Sequence, residues 1–218
     1  MSIKNMKGEN IMTFPNALAG IKKIFTAEIL AIAGTVLAGI GGVMLAAAAV
    51  IGNPVEAGFG AIFAAIGLVV IIVSYIMNLV GLYQAGKDER KYFRTAFILS
   101  IAALVLSIVG GIAQSAAAKE MMVFGLITDI INIVVAVLVI SGIMLLADKC
   151  LNEKVKKMGK NILIMWVIIY AIALVLKLIP SQTSAAAVLA GVSAILLIVV
   201  YIIYLVYLSR AIKMLKGK

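Results

Sequence analysis

Six long apolar stretches run along the chain, roughly 24–51, 57–83, 93–113, 121–147, 162–179 and 185–208, separated by short polar or charged joints. An uninterrupted apolar run of about 20 residues is the length that crosses a hydrocarbon core as a helix. None of the six shows the strict alternation a membrane barrel requires. All six are therefore read as helices, the form in which a lipid-exposed backbone satisfies its own hydrogen bonds. The fifth is the shortest and ends at Lys177 and Pro180. The expected fold is an all-α integral membrane protein with six transmembrane helices.

The pattern also repeats. Thr26 to Ala33 matches Thr95 to Ala102 at an offset of 69, with Val36-Leu37 on Val105-Leu106 and Gly41-Gly42 on Gly110-Gly111. The even-numbered stretches recur more faintly at an offset of 62, pairing Ala85 with Ala147, Lys87 with Lys149, and Gly67 with Asp129 and then Gly191. This predicts three tandem helical hairpins, about 24–83, 93–147 and 162–208, related by a pseudo-threefold axis along the membrane normal, as in parallel-repeat transporters. Residues 1–23 form an N-terminal leader, in which Met12 to Phe25, with Lys22 and Lys23, suit a short interfacial helix. Residues 209–218 form a basic tail. The leader mixes Lys4, Lys7, Glu9 and Asn10 with apolar residues and does not read as a cleaved signal peptide.

Composition agrees with this reading. The chain has 218 residues, of which 65% are hydrophobic and 13% charged, and its mean hydropathy is +1.21, so the apolar excess has to face lipid. The net charge of +10 does not point to nucleic acid, which calls for a basic face on a soluble domain. The basic residues instead sit between the apolar stretches. All of the 19 except Lys119 and Lys177 fall in the leader, the second–third joint, the fourth–fifth joint or the tail. The positive-inside rule then places both termini in the cytoplasm, with the protein in the cell membrane. The clusters Lys87 to Lys91 and Lys154 to Lys157 lie where they meet anionic headgroups.

Small residues mark which helix faces turn inward. Ala27, Ala31, Gly34, Ala38 and Gly41 step by four and three. Gly60, Ala64, Gly67, Ser74, Asn78 and Gly81 follow the same spacing in the second stretch. Comparable stripes run through Ala96, Ser100, Ala103, Ser107 and Gly110, through Gly125, Asp129, Asn132, Ala136 and Val139, and through Ala187, Gly191, Ala194, Ile198 and Tyr201. Such faces let backbones approach closely, or join copies of the chain or other subunits, where lipid supplies no hydrophobic drive. The Ala27-x-x-x-Ala31 step resembles the motif by which substrate-binding subunits of energy-coupling-factor vitamin transporters dock their partner. Six spans and cytoplasmic termini fit that family. Three tandem hairpins are not its pattern, and its ligand-binding loop is not evident, so the chain is not assigned to it.

Candidate chemistry is sparse. There is no His and a single Cys, Cys150, so histidine-based acid–base catalysis, a His-ligated metal and intramolecular disulfides drop out. No cofactor or metal is expected. Asp129 is the one acid deep in a span, about eight residues or 12 Å from the outer end. An ionised carboxylate there costs several kcal/mol unless it is paired or wetted, which marks a proton or cation role. The competing reading is a neutral structural acid hydrogen-bonded to Asn132 or a nearby serine. Lys177, on one face with Tyr170, either pairs with Asp129 or snorkels outward. Glu28 is expected to form an interfacial ion pair with Lys22 or Lys23, with pathway lining as the alternative. Asn78 joins the inward polar positions. No nucleophile–base pair, acid dyad or metal cluster suggests an enzyme. Two function classes follow. One is small-solute or ion transport through a site at Asp129, Asn132, Asn78, Lys177 and Glu28. The other is a non-catalytic accessory or scaffold subunit of a larger membrane complex.

Overall fold

A computed structural model describes residues 14–113, 118–178 and 184–217, with side chains for 14–110, 125–172 and 195–217. Every element among the described residues is helical: α1 (Pro15–Ile51), α2 (Pro54–Asp88), a π-helical turn (Arg90–Arg94), α3 (Thr95–Ala113), α4 (Ala118–Lys149), α5 (Glu153–Leu178) and α6 (Ser184–Leu215). Five of these helices, among the described residues, are long and apolar enough to cross a membrane.

The residues between α1 and α2 dictate a tight reversal. Gly52 ends α1 in the left-handed region, φ +71°, where a residue without Cβ carries no steric cost. Its N–H returns to the Ala48 carbonyl at 2.8 Å. Asn53 then caps α2, its Oδ1 accepting from the N–H of Val55 at 3.1 Å, and Pro54 occupies the first helical position, which needs no N–H donor. The two helices run back along each other in close contact. A Cβ placed on Gly41 would lie 2.4 Å from the Ala64 nitrogen, one on Gly67 2.4 Å from the Ala38 nitrogen, and one on Gly20 2.5 Å from the Ala85 nitrogen. The small-residue stripes expected for the first two stretches are thus this interface. In the half of the pair next to this reversal, Val43 and Val50 on α1 and Val55 and Phe59 on α2 are exposed.

The predicted interfacial leader helix is not separate. From Pro15 onward it is the first part of α1, because Ala17, Ile21 and Ile24 are buried against the end of α2 and the rest of the core. The N–H groups at the start of α1 lack a cap of their own. Asp88, at the end of α2, supplies one by accepting from the Ala17 N–H and the Asn16 amide at 2.8 Å each. The tail is likewise helical: α6 continues to Leu215, with Leu208 and Ala211 buried.

The core gathers at the end where α1 begins and α6 ends. Phe93, Ile140, Ile143, Leu146, Tyr207 and Leu208 are fully buried there. Here large side chains fit against glycines: Phe93 packs on Gly142, and Tyr207 on Gly159. The expected stripes on α4 and α6 hold in part: Asn132, Ala136 and Val139 of α4 and Tyr201 of α6 turn inward, and the side chains of Ala187, Gly191 and Ala194 lie outside the described residues. Gly125 has open space around it and Ile198 is 61% exposed, while the buried faces are Val139 to Ala147 and Val200 to Ala211. Each of α3 to α6 packs on its sequence neighbour, and α6 closes back onto α1, but α2 and α3 touch only lightly.

Candidate functional site

Bordering the buried core, and sharing Ile24, Val139, Trp166 and Tyr204 with it, lies a cavity of about 210 Å³ to which all six helices contribute. Its single charged lining residue among those described is Glu28 of α1. Glu28 forms no ion pair with Lys22 or Lys23 among the described residues; its carboxylate instead accepts a hydrogen bond from the Tyr201 hydroxyl of α6. The Glu28 backbone carbonyl lies 3.3 Å from the same hydroxyl. The expectation of an interfacial pair fails because α1 starts at Pro15, so Glu28 sits about 20 Å along the helix at 1.5 Å per residue.

The wall facing Glu28 is aromatic. Trp166 and Tyr170, four residues apart on α5, stack with centroids 4.5 Å apart. Tyr204 meets Trp166 edge-on at 5.8 Å, and Tyr201 lies 6.3 Å from Tyr204. Tyr75 of α2 lines the same space and donates to the Ser100 carbonyl of α3, bridging the lightly packed α2–α3 pair. Trp166 is only 7% exposed, yet its indole N–H has no hydrogen-bond partner among the described residues. A buried donor left unpaired is costly, and its occurrence beside a cavity is unusual for a packed core.

The residues singled out in the sequence divide between positions. Glu28, Asn78 and Asn132 line the cavity together. Asp129 is half-buried one turn from Asn132, and Tyr170 lies within electrostatic reach of both Glu28 and Asp129. The side chain of Lys177 lies outside the described residues. Ser74 donates across to the Ala27 carbonyl at 2.8 Å. Ser100 and Ser107 bond back within their own helix, to Ala96 and Ala103.

The aromatic wall is what the sequence reading passed over. The chain's only Trp and four of its seven Tyr line this one cavity. Aromatic residues of a membrane protein ordinarily collect at the two interfaces, so the i, i+4 pair Trp166/Tyr170 and the i, i+3 pair Tyr201/Tyr204, set well inside apolar stretches, were the available signal. Beside the cavity, a groove of about 430 Å³ between α2, α3 and α4 opens laterally. Ile71, Ile72, Ile76 and Leu104 line it, and it shares Tyr75 and Asn132 with the cavity. Comparison with protein-family models, curated proteins and solved structures finds no match, so what the cavity does has to follow from its own chemistry.

Proposed function

We propose that the chain is a multi-pass membrane protein that binds a small organic cation in the central cavity and passes it across the bilayer. The observation that carries this reading is Glu28, a carboxylate facing an aromatic wall with no Lys or Arg among the lining residues. A desolvated carboxylate costs several kcal/mol unless compensated, and Tyr201 supplies only a neutral donor. A cation meets that need, and each aromatic face it touches adds about 0.5–2 kcal/mol. Asn78 and Asn132 give polar contacts, and the Trp166 N–H takes an acceptor on the solute. Asp129, near Tyr170, serves as a second carboxylate on the way out. The apolar groove beside Tyr75 and Asn132 suits entry of a lipophilic cation from the lipid side. The basic joints favour an orientation with both termini cytoplasmic, and the sequence repeat favours three hairpins about one axis.

Uptake of a radiolabelled quaternary ammonium into proteoliposomes tests this. Uptake is expected with the wild-type chain and expected to fall to background with Glu28→Gln. Undiminished uptake in that variant sinks the proposal, and Asp129→Asn tells whether the second carboxylate shares the path.

The alternative, an accessory subunit, draws on a different feature. Gly39, Gly42 and Gly58, in the half of the α1–α2 pair next to its reversal, have open space around them, as a small-residue docking face would. A partner that co-purifies with the wild-type chain and is lost on Gly42→Leu would favour it.

A further inference from the structure

The joint between α2 and α3 holds Lys87, Arg90, Lys91 and Arg94, with Asp88 and Glu89 among them. In sequence this is a mixed-charge cluster placed to meet anionic headgroups. The structure separates the signs. Asp88 turns to α1, where it accepts from Asn16 and Ala17. Glu89, 7% exposed, turns to α4 and pairs with the Lys149 ammonium at 2.8 Å. Lys87, Arg90 and Arg94 are left with no carboxylate partner among the described residues, and all three line one pocket of about 440 Å³.

The build of that pocket favours an amphiphile. The turn Arg90–Arg94 is π-helical, a form often found at functional sites, and positions four apart on a helical turn share a face. The end of α2 comes close because Gly86 has no side chain: a Cβ there would lie 3.3 Å from the Arg94 nitrogen. The rest of the lining is aromatic and aliphatic. The Tyr83 and Phe97 rings lie 5.7 Å apart, and Ile98, one turn into α3, is 58% exposed. The Lys87 ammonium rests over the Tyr83 ring at 5.3 Å, while Arg90 and Arg94 have no carboxylate partner among the described residues. Cations gathered in one concavity repel each other until an anion joins them, and a phosphate takes up guanidinium groups in bidentate pairs. A free phosphate has no use for the Phe97–Ile98 wall; an acyl chain does.

We propose that this pocket is a binding site for an anionic phospholipid, with Arg90 and Arg94 on the phosphate, Lys87 beside them, and the acyl chain along Phe97 and Ile98. The site rests on membrane embedding but not on the cation cavity, which it does not touch. Native mass spectrometry of the full chain, released from phosphatidylcholine vesicles doped with about one-fifth phosphatidylglycerol, tests it. The wild-type chain is expected to retain phosphatidylglycerol, and Arg90→Gln/Arg94→Gln to retain at least about tenfold less. Lys213→Gln/Lys216→Gln, which removes as much charge from the end of α6, is expected to leave retention unchanged. Equal loss in both double variants would mean general charge attraction and overturn the site. Displacement of the lipid by inorganic phosphate would show a free-phosphate site and overturn the lipid assignment. If the arginine variant does not fold, Lys87→Glu at an exposed pocket position decides the matter: retained phosphatidylglycerol contradicts the proposal, and its loss supports it. Ammonium binding at Glu28 is measured separately, so either site can fail without the other.

Discussion

The Tyr201 hydroxyl donates to the Glu28 carboxylate across 173 residues of sequence, tying the last helix to the first at the wall of the central cavity. Tyr201→Phe removes this donor and leaves the carboxylate one hydrogen bond short. The expected result is a loss of stability of about 1–3 kcal/mol, measured by denaturant unfolding in detergent, with ammonium binding retained. Glu28→Gln should do the opposite, keeping most of the stability and losing the binding. If both variants behave alike, the hydrogen bond and the binding site are one inseparable unit and the assignment of roles is wrong.

Proton and cation compete for the same carboxylate. Lowering the pH protonates Glu28 and removes the charge that holds an ammonium, so apparent affinity should fall as pH falls. The dependence should vanish in Glu28→Gln. A binding curve in the wild-type chain that does not change with pH would assign the cation to another group.

Two glycines on neighbouring helices predict opposite signs. A Cβ on Gly67 would meet the Ala38 backbone, whereas one on Gly42 meets nothing within 4 Å. Gly67→Ala should destabilise the chain by about 1–3 kcal/mol through overpacking. Gly42→Ala should be neutral or stabilising by up to about 1 kcal/mol through helix propensity. Unfolding of the two variants side by side checks this.

Two ion pairs at the basic end should also differ. Glu89 is buried and bound to Lys149, so Glu89→Ala leaves a partly enclosed ammonium unpaired and should cost about 1–2 kcal/mol, below the cost of breaking a fully buried pair because Lys149 is partly solvated. The exposed Lys156–Asp148 pair, at 2.5 Å, should contribute nothing measurable. The hydrogen bond and charge of Asp148, with Glu153 adding to them, hold the Lys156 ammonium above its ordinary value of 10.5. A raised value of this kind helps the folded state below the unfolded value and is lost as pH rises through the folded one. Whatever the pair contributes is therefore present at neutral pH and lost only under strongly alkaline conditions. Because both side chains are exposed, Asp148→Asn should change stability near neutral pH by nothing measurable.

The six helices and the α1–α2 interface were legible because each rests on local pattern: apolar length, and small residues stepping by four and three. The cavity was not. Asp129 drew attention as a charge in an apolar stretch, and Glu28 looked interfacial because Lys22 and Lys23 precede it. Only the packing of α1 on α2 and α6 sets Glu28 among Tyr201, Tyr204 and Trp166. Which helix faces meet is a tertiary fact, and aromatic residues in a greasy sequence look the same whether they line a cavity or fill a core. The joint before α3 taught the same lesson: Asp88 and Glu89 look like partners for their neighbours until α1 and α4 claim them.

Trp166 is the chain's single tryptophan and lines the cavity, so its fluorescence reports on the site without a label. Titrating the purified chain with tetramethylammonium tests the central claim most directly. A saturable change in Trp166 emission is expected in the wild-type chain and should be absent in Glu28→Gln. No change in the wild-type chain, or an undiminished one in Glu28→Gln, would contradict a cation site at Glu28.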